Sequence, residues 1–123
     1  MAISVEELIG KKDEIKAKKA GLYDLETSIG DITVKMPTSK IVADAWNFNS
    51  SMEGNIYLIL ECTVAPNLKD SQLQKAYGVG EPTEIVPAVF QVGEITRIAS
   101  TILELAGYKE NIKFKIHNEI KNS

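Results

Sequence analysis

The sequence predicts an α+β fold, a mainly helical single domain with an N-terminal helix, a β-hairpin and a C-terminal helical part. Three stretches predict it: the helix-start signature Ser4-Val5-Glu6-Glu7, period-two alternation through LYDLETSIGDITVKMP, and three-and-four apolar spacing through GEITRIASTILELAGY. With 123 residues, 44% apolar and 25% charged, the composition is that of one folded domain. A chain of this length buries roughly two-thirds of its unfolded surface and so needs neither metal nor disulfide. Residues 1–108 are predicted as the domain and 109–123 as a tail.

The first helix is predicted from the reciprocal cap that Ser4 and Glu7 can form, with Ile3 and Leu8 as a hydrophobic staple. It should run to about Ala20, weakened at Gly10 and stopped by a left-handed Gly21. Tyr23, Leu25 and Thr27 then alternate, as do Ile32, Val34 and Met36, around the turn Ser28-Ile29-Gly30-Asp31. An isolated hairpin is marginal in water, so this one must pack on helices or join a larger sheet. Thr38 caps a second helix with Ile41, Val42, Ala45 and Trp46 on one face, and FNSSMEGN follows as a polar loop. Asn55 can cap the apolar run IYLILECTV, whose period suits a buried strand or a buried helix; helix is favoured over 56–64. Asp70 or Ser71 caps a short helix carrying Leu73, Ala76 and Tyr77, which Gly78 and Gly80 can end. The last helix sets Ile95, Ile98, Ala99, Ile102, Leu103 and Ala106 on one face and stops at Gly107, with Tyr108 placed to fold back on Leu103. Ile112, Phe114 and Ile116 alternate with lysines in the tail, as a short strand or a frayed end.

The net charge of −3 conceals a pattern. Up to Lys19 there are five lysines against four acids; residues 20–104 hold five basic residues against eleven acids; the remainder holds four lysines against two acids. Nucleic-acid affinity comes from clustered cations on phosphates, so the acidic middle excludes a broad nucleic-acid footprint. On the N-terminal helix, Glu7–Lys11 and Glu14–Lys18 are spaced as stabilising pairs, which favours a solvated face over a DNA or membrane contact. The start MAISVEEL lacks the pattern of a signal peptide, and no apolar run reaches the roughly 20 residues that span a bilayer. The expectation is a soluble chain that is not exported.

Candidate chemistry is sparse. Gly78-Val79-Gly80 resembles a dinucleotide turn, but Thr83 stands where the third glycine belongs and no Gly-Lys-Ser/Thr follows. A helix stop is the better reading. His117 is the one histidine and lies in the charged tail, which argues against a triad or a multi-histidine metal site. Asp24 and Glu26 share a strand face but lack a third ligand, and Cys62, in an apolar run without basic neighbours, reads as a buried inert thiol. Trp46, Phe48 and Tyr57 read as core. No catalytic residue, metal site or cofactor is predicted.

The strings LYDLETSIGDITVKMPT, YLILECTVAPNLKDSQLQKAYGVGEPTEIV and GEITRIASTILELAGY together resemble the XkdN-like family of phage tail assembly chaperones, over roughly residues 3–108. Residues 61–82 carry the most specific part, while Ala65, Val79 and Gln91-Val92 depart from the family pattern. The resemblance implies a non-enzymatic helper in the cytoplasm of the bacterial host, absent from the mature virion. It implies binding to the tape measure protein, recruitment of the tail tube protein and self-association, without nucleic acid or membrane. The partner surface is expected at Pro66, Asn67, Leu68, Tyr77, Glu81 and Pro82, as exposed apolar and turn residues. Alternatives are a structural minor tail protein retained in the virion and a small DNA-binding regulator using the Lys-rich helix.

Overall fold

A computed structural model describes residues 1–108, 111–113 and 115–117. The N-terminal cap forms as the sequence dictates: the Glu7 amide donates to Ser4 Oγ at 3.1 Å, and the Ser4 amide donates to Glu7 Oε1 at 3.3 Å. It opens α1 (Val5–Gly10), which breaks at Lys11 before α2 (Lys12–Ala20), next to the glycine expected to weaken it. No residue of 1–20 is buried. Gly21 is not left-handed as predicted; at φ −67, ψ 152 it is extended, because the chain runs straight into a strand with no reversal to make. The Tyr23 hydroxyl donates to the Lys18 carbonyl at 3.2 Å, serving one of the carbonyls that a helix end leaves open.

Strands β1 (Leu22–Thr27) and β2 (Gly30–Lys35) form the predicted hairpin, with register Tyr23↔Val34 and Leu25↔Ile32 and Gly30 at φ +116 closing the turn. Ile32 and Val34 are fully buried. The larger sheet that the hairpin needs is completed by β3 (Thr63–Ala65), antiparallel to β2, in the order β1-β2-β3.

Thr38 caps α3 (Ser39–Trp46) by accepting from the Ile41 amide at 3.2 Å, and Val42 and Ala45 face inward. Trp46 was expected beside them but is 63% exposed, because the helix ends at that residue and the chain turns away. Helix α4 (Ser51–Cys62) starts four residues before the predicted cap at Asn55; Ser50 caps it instead, accepting from the Glu53 amide at 3.1 Å. Gly54, a turn signal in the sequence, lies inside this helix and lets α3 approach: a Cβ there would sit 2.4 Å from the Ala45 carbonyl oxygen. The favoured helical reading of 56–64 holds to Cys62, after which Thr63 and Val64 enter β3.

Helix α5 (Ser71–Tyr77), a 3-10 turn (Pro82–Glu84) and α6 (Ile85–Val89) lead to α7 (Val92–Leu105). The last helix ends in the predicted Schellman motif, with Gly107 at φ +86, the Tyr108 amide on the Leu103 carbonyl at 3.1 Å and the Gly107 amide on Glu104 at 2.9 Å. Helix α4 packs between α3 and α7, and Leu58, Ile59 and Cys62 meet Ile95, Ile98 and Ile102 in one core with Ile85, Val86 and Phe90. Residues 111–113 and 115–117 carry no strand; Phe114, the centre of the predicted alternation, lies outside the described residues. Among the described residues, no helix is long and apolar enough to cross a membrane.

Candidate protein-binding surface

The sequence places the partner surface at residues 66–82, and the structure gives that segment a mixed character. The chain leaves β3 through a cis Ala65–Pro66 peptide. Asn67 Oδ1 then accepts from the Lys69 amide at 3.1 Å, and the Lys69 ammonium pairs with Glu61 on α4. This tethering drives Leu68 inward. It is 3% exposed and packs in the core, which overturns its assignment as an exposed contact: a side chain needed to fill the interior cannot also meet a partner. Pro66, Asn67, Tyr77 and Glu81 are exposed, and Pro82 is half-buried at the start of the 3-10 turn.

Asp70 caps α5 through the Gln72 and Leu73 amides at 2.8 and 3.1 Å. Gly78, left-handed at φ +67, ends it with the Val79 amide on the Gln74 carbonyl at 3.0 Å. The glycine turn is thus a helix stop. Its Gly80 amide already donates to Glu84 Oε2, where a phosphate loop would need amides free for an anion.

A second surface was not legible as one. Trp46 meets Tyr108 edge-on with centroids 5.3 Å apart, and Phe48 leans on Tyr57 at the same distance. Trp46 and Phe48, expected in the core, are exposed, whereas Tyr57 is half-buried and packs against the core as expected. Trp46, Phe48 and Tyr108 are 63%, 41% and 47% exposed. Phe48 stands between two shallow grooves. One, of about 250 Å³, runs over Trp46, Asn49, Gly54, Asn55 and Leu103; the other, of about 270 Å³, is lined by Asp44, Asn47, Phe48 and Tyr57. The Tyr57 hydroxyl donates to Asp44 Oδ2 at 3.3 Å, and Lys40 reaches the same oxygen at 3.0 Å. Burial first, and then the Asp44 charge, push the Tyr57 phenol up, whereas the bond to Asp44 raises Lys40. The result is an apolar centre with a polar rim, the anatomy of a protein interface. The missed signal was position: Trp46 closes a helix, and Phe48 is flanked by Asn47 and Asn49.

A third groove, of about 510 Å³, lies between β1 and α7, lined by Asp24, Leu25, Glu26, Glu94, Arg97 and Ile98 among others. Glu94 clamps the hairpin turn to α7, accepting from the Ser28 amide at 2.8 Å and its hydroxyl at 2.5 Å; both bonds hold its carboxyl below the ordinary range. Asp24 accepts from Thr33 at 2.8 Å. Among the described residues no group of three or more His, Cys, Asp or Glu is arranged to hold a metal. Cys62 is fully buried, and burial pushes its thiol up to about 11, far from a nucleophile's range.

A family model described as phage XkdN-like tail assembly chaperone protein matches residues 33–121. The match omits α1, α2 and β1 and extends past Tyr108 into the tail. No curated protein matches. Among solved structures, the crystal structure of the protein yqbn matches with a TM-score of 0.59 at 20% identity, covering 74% of this chain and 88% of that one. At that identity the likeness is one of fold.

Proposed function

This chain belongs to the XkdN-like family of phage tail assembly chaperones, and from that premise we infer that it binds the tape measure protein and helps recruit tail tube subunits during tail morphogenesis. The observation that carries the reading is the exposed aromatic surface of Trp46, Phe48 and Tyr108, backed by half-buried Tyr57, with a groove on either side of Phe48. An aggregation-prone helical rod needs its apolar stripe covered. Grooves with aromatic anchors and a polar rim take an amphipathic helix, and tryptophan and tyrosine are the residues that most often dominate such binding. Many copies on one rod would turn weak contacts into a durable sheath through avidity. The exposed residues Pro66, Asn67, Tyr77 and Glu81, with half-buried Pro82, supply a second contact surface around the α5 stop. The chaperone acts in the host cytoplasm without chemistry of its own and leaves before the virion is complete.

Co-expression with the tape measure protein tests this. The wild-type chain should keep it soluble and co-purify with it, whereas Trp46→Ala/Phe48→Ala should release it into the insoluble fraction with the chaperone's own fold intact. Retention of binding by that variant, or failure of the wild type to bind, overturns the reading. Mass spectrometry of purified particles separates a chaperone, which should be missing, from a minor tail protein, which would be present.

A further inference from the structure

Two features of the chain each lack what the other offers. The first is the outer edge of β1, which stands at the end of the order β1-β2-β3. The hairpin closes with Thr27 opposite Gly30 across a two-residue turn, so hydrogen-bonded pairs alternate along it. Thr27, Leu25 and Tyr23 turn their amides and carbonyls to β2, and Glu26, Asp24 and Leu22 turn theirs to the free edge. That edge borders the groove against α7, where half-buried Leu25 and buried Ile98 supply an apolar floor and the carboxylates of Asp24, Glu26 and Glu94 face one guanidinium, that of Arg97. The second feature is the stretch after α7. Ile112 and Ile116 are 90% and 86% exposed, with Lys113 and Lys115 at the alternate positions between them.

We propose that residues 112–116 add to β1 of their own chain as a fourth strand and fill the β1–α7 groove. Side chains of a strand alternate between its faces, so the two isoleucines fall with Tyr23 and Leu25 toward α7, and the two lysines fall with Asp24 and Glu26. A slip of one residue would put lysines on the apolar floor and isoleucines in water, which fixes the register. Charge agrees with the pattern: residues 109–123 hold four lysines against two acids, and the groove is acidic. Connectivity brings the segment there. Glu94, in the first turn of α7, holds Ser28 at the far end of β1, and Thr101 shares the groove with Asp24, so α7 runs back along β1 toward Leu22. Its groove face of Glu94, Arg97, Ile98 and Thr101 continues at helical spacing to Glu104 and Leu105, and left-handed Gly107 then reverses the chain. The steps from Tyr108 to Ile112 reach up to roughly 13 Å, against the roughly 6 Å of helix that separates Thr101 from Leu105. The tail can therefore enter beside Leu22 and run along β1 in the same direction. Docked there, it closes a sheet edge that would otherwise accept a foreign strand, and it leaves the aromatic surface uncovered.

The proposal does not depend on the tape measure reading, and its test uses the full chain alone. Amide hydrogen exchange read by NMR at two protein concentrations reports on the free edge directly. In the wild type the Asp24 and Glu26 amides should exchange at least about tenfold more slowly than in Ile112→Ser/Ile116→Ser, equally at both concentrations. Lys115→Glu and Glu26→Lys should each lower the protection of the Asp24 amide, and the two together in one chain should restore it, a rescue that lost packing alone would not give. All four positions are exposed in the structure, so the core forms in every variant. Edge amides that exchange as fast in the wild type as in Ile112→Ser/Ile116→Ser would overturn the proposal. So would a charge swap that restores nothing, or protection that grows with concentration, which would put the tail on another copy.

Discussion

The helices at the two ends of this domain are held by opposite means. In α1 and α2 no side chain is buried, and the helix rests on a capping box and on acidic first turns, with Lys18 and Lys19 in the last turn of α2. In α4 and α7 the turns rest on burial: Leu58, Ile59, Ile95 and Ile102 are at 0 or 1% exposure. Local signals contribute tenths of a kcal/mol to about 1 kcal/mol each, whereas a buried aliphatic side chain contributes about 1.5–3. The α4–α7 pair is therefore stable by virtue of the fold, and the α1–α2 pair keeps its apolar face available because the fold does not consume it.

That contrast can be broken by mutation, first at its strongest point. Ile102→Ala opens a cavity in the fully buried α7 face and should cost about 3 kcal/mol, lowering Tm by roughly 10 °C in calorimetry. Gly54→Ala should cost about 2 kcal/mol in denaturant unfolding, since its Cβ would meet backbone at the α3–α4 crossing. If it were neutral, the close approach would not be what holds Gly54 in the helix. Cys62 adds a pH signature. Its thiol is pushed up to about 11 by burial, from an ordinary 9.0, so the native state keeps a proton that the unfolded state releases. This contribution is complete below the unfolded value and is lost as pH rises from 9.0 through about 11; Cys62→Ala should flatten that alkaline limb relative to wild type. The smallest effects belong to the N-terminal pair. Ser4→Ala should lower helical circular dichroism by removing a cap worth about 1 kcal/mol, while leaving the cooperative unfolding midpoint unchanged.

The same contrast explains what could be read in advance. Ser4, Thr38, Asp70 and Gly107 act through neighbours within a few residues, so their caps and stops were legible, as was the burial of Ile95, Ile98, Ala99 and Ile102 from spacing alone. What escaped depends on partners distant in the chain. Gly54 looks like a turn until Ala45 is seen against it, β3 exists because β2 is there to pair with, and Leu68 looks exposed until Lys69–Glu61 and Asp70 fix its backbone. Exposure was misread in both directions for one reason: whether a residue at the end of an element is exposed is a tertiary fact. Trp46 belongs to a buried face by period and emerges because its helix ends; Leu68 belongs to a polar loop by composition and is buried because the loop is tied down.

Trp46 is the chain's single tryptophan, so it reports on the aromatic surface without ambiguity. Fluorine NMR of the chain labelled with fluorotryptophan, titrated with the tape measure protein, tests most directly whether that surface receives the partner. The resonance should shift and broaden as the 63% exposed ring is buried, with the same change persisting in Tyr77→Ala. A resonance that stays unmoved while the two proteins co-sediment would contradict the account and move the contact elsewhere on the chain.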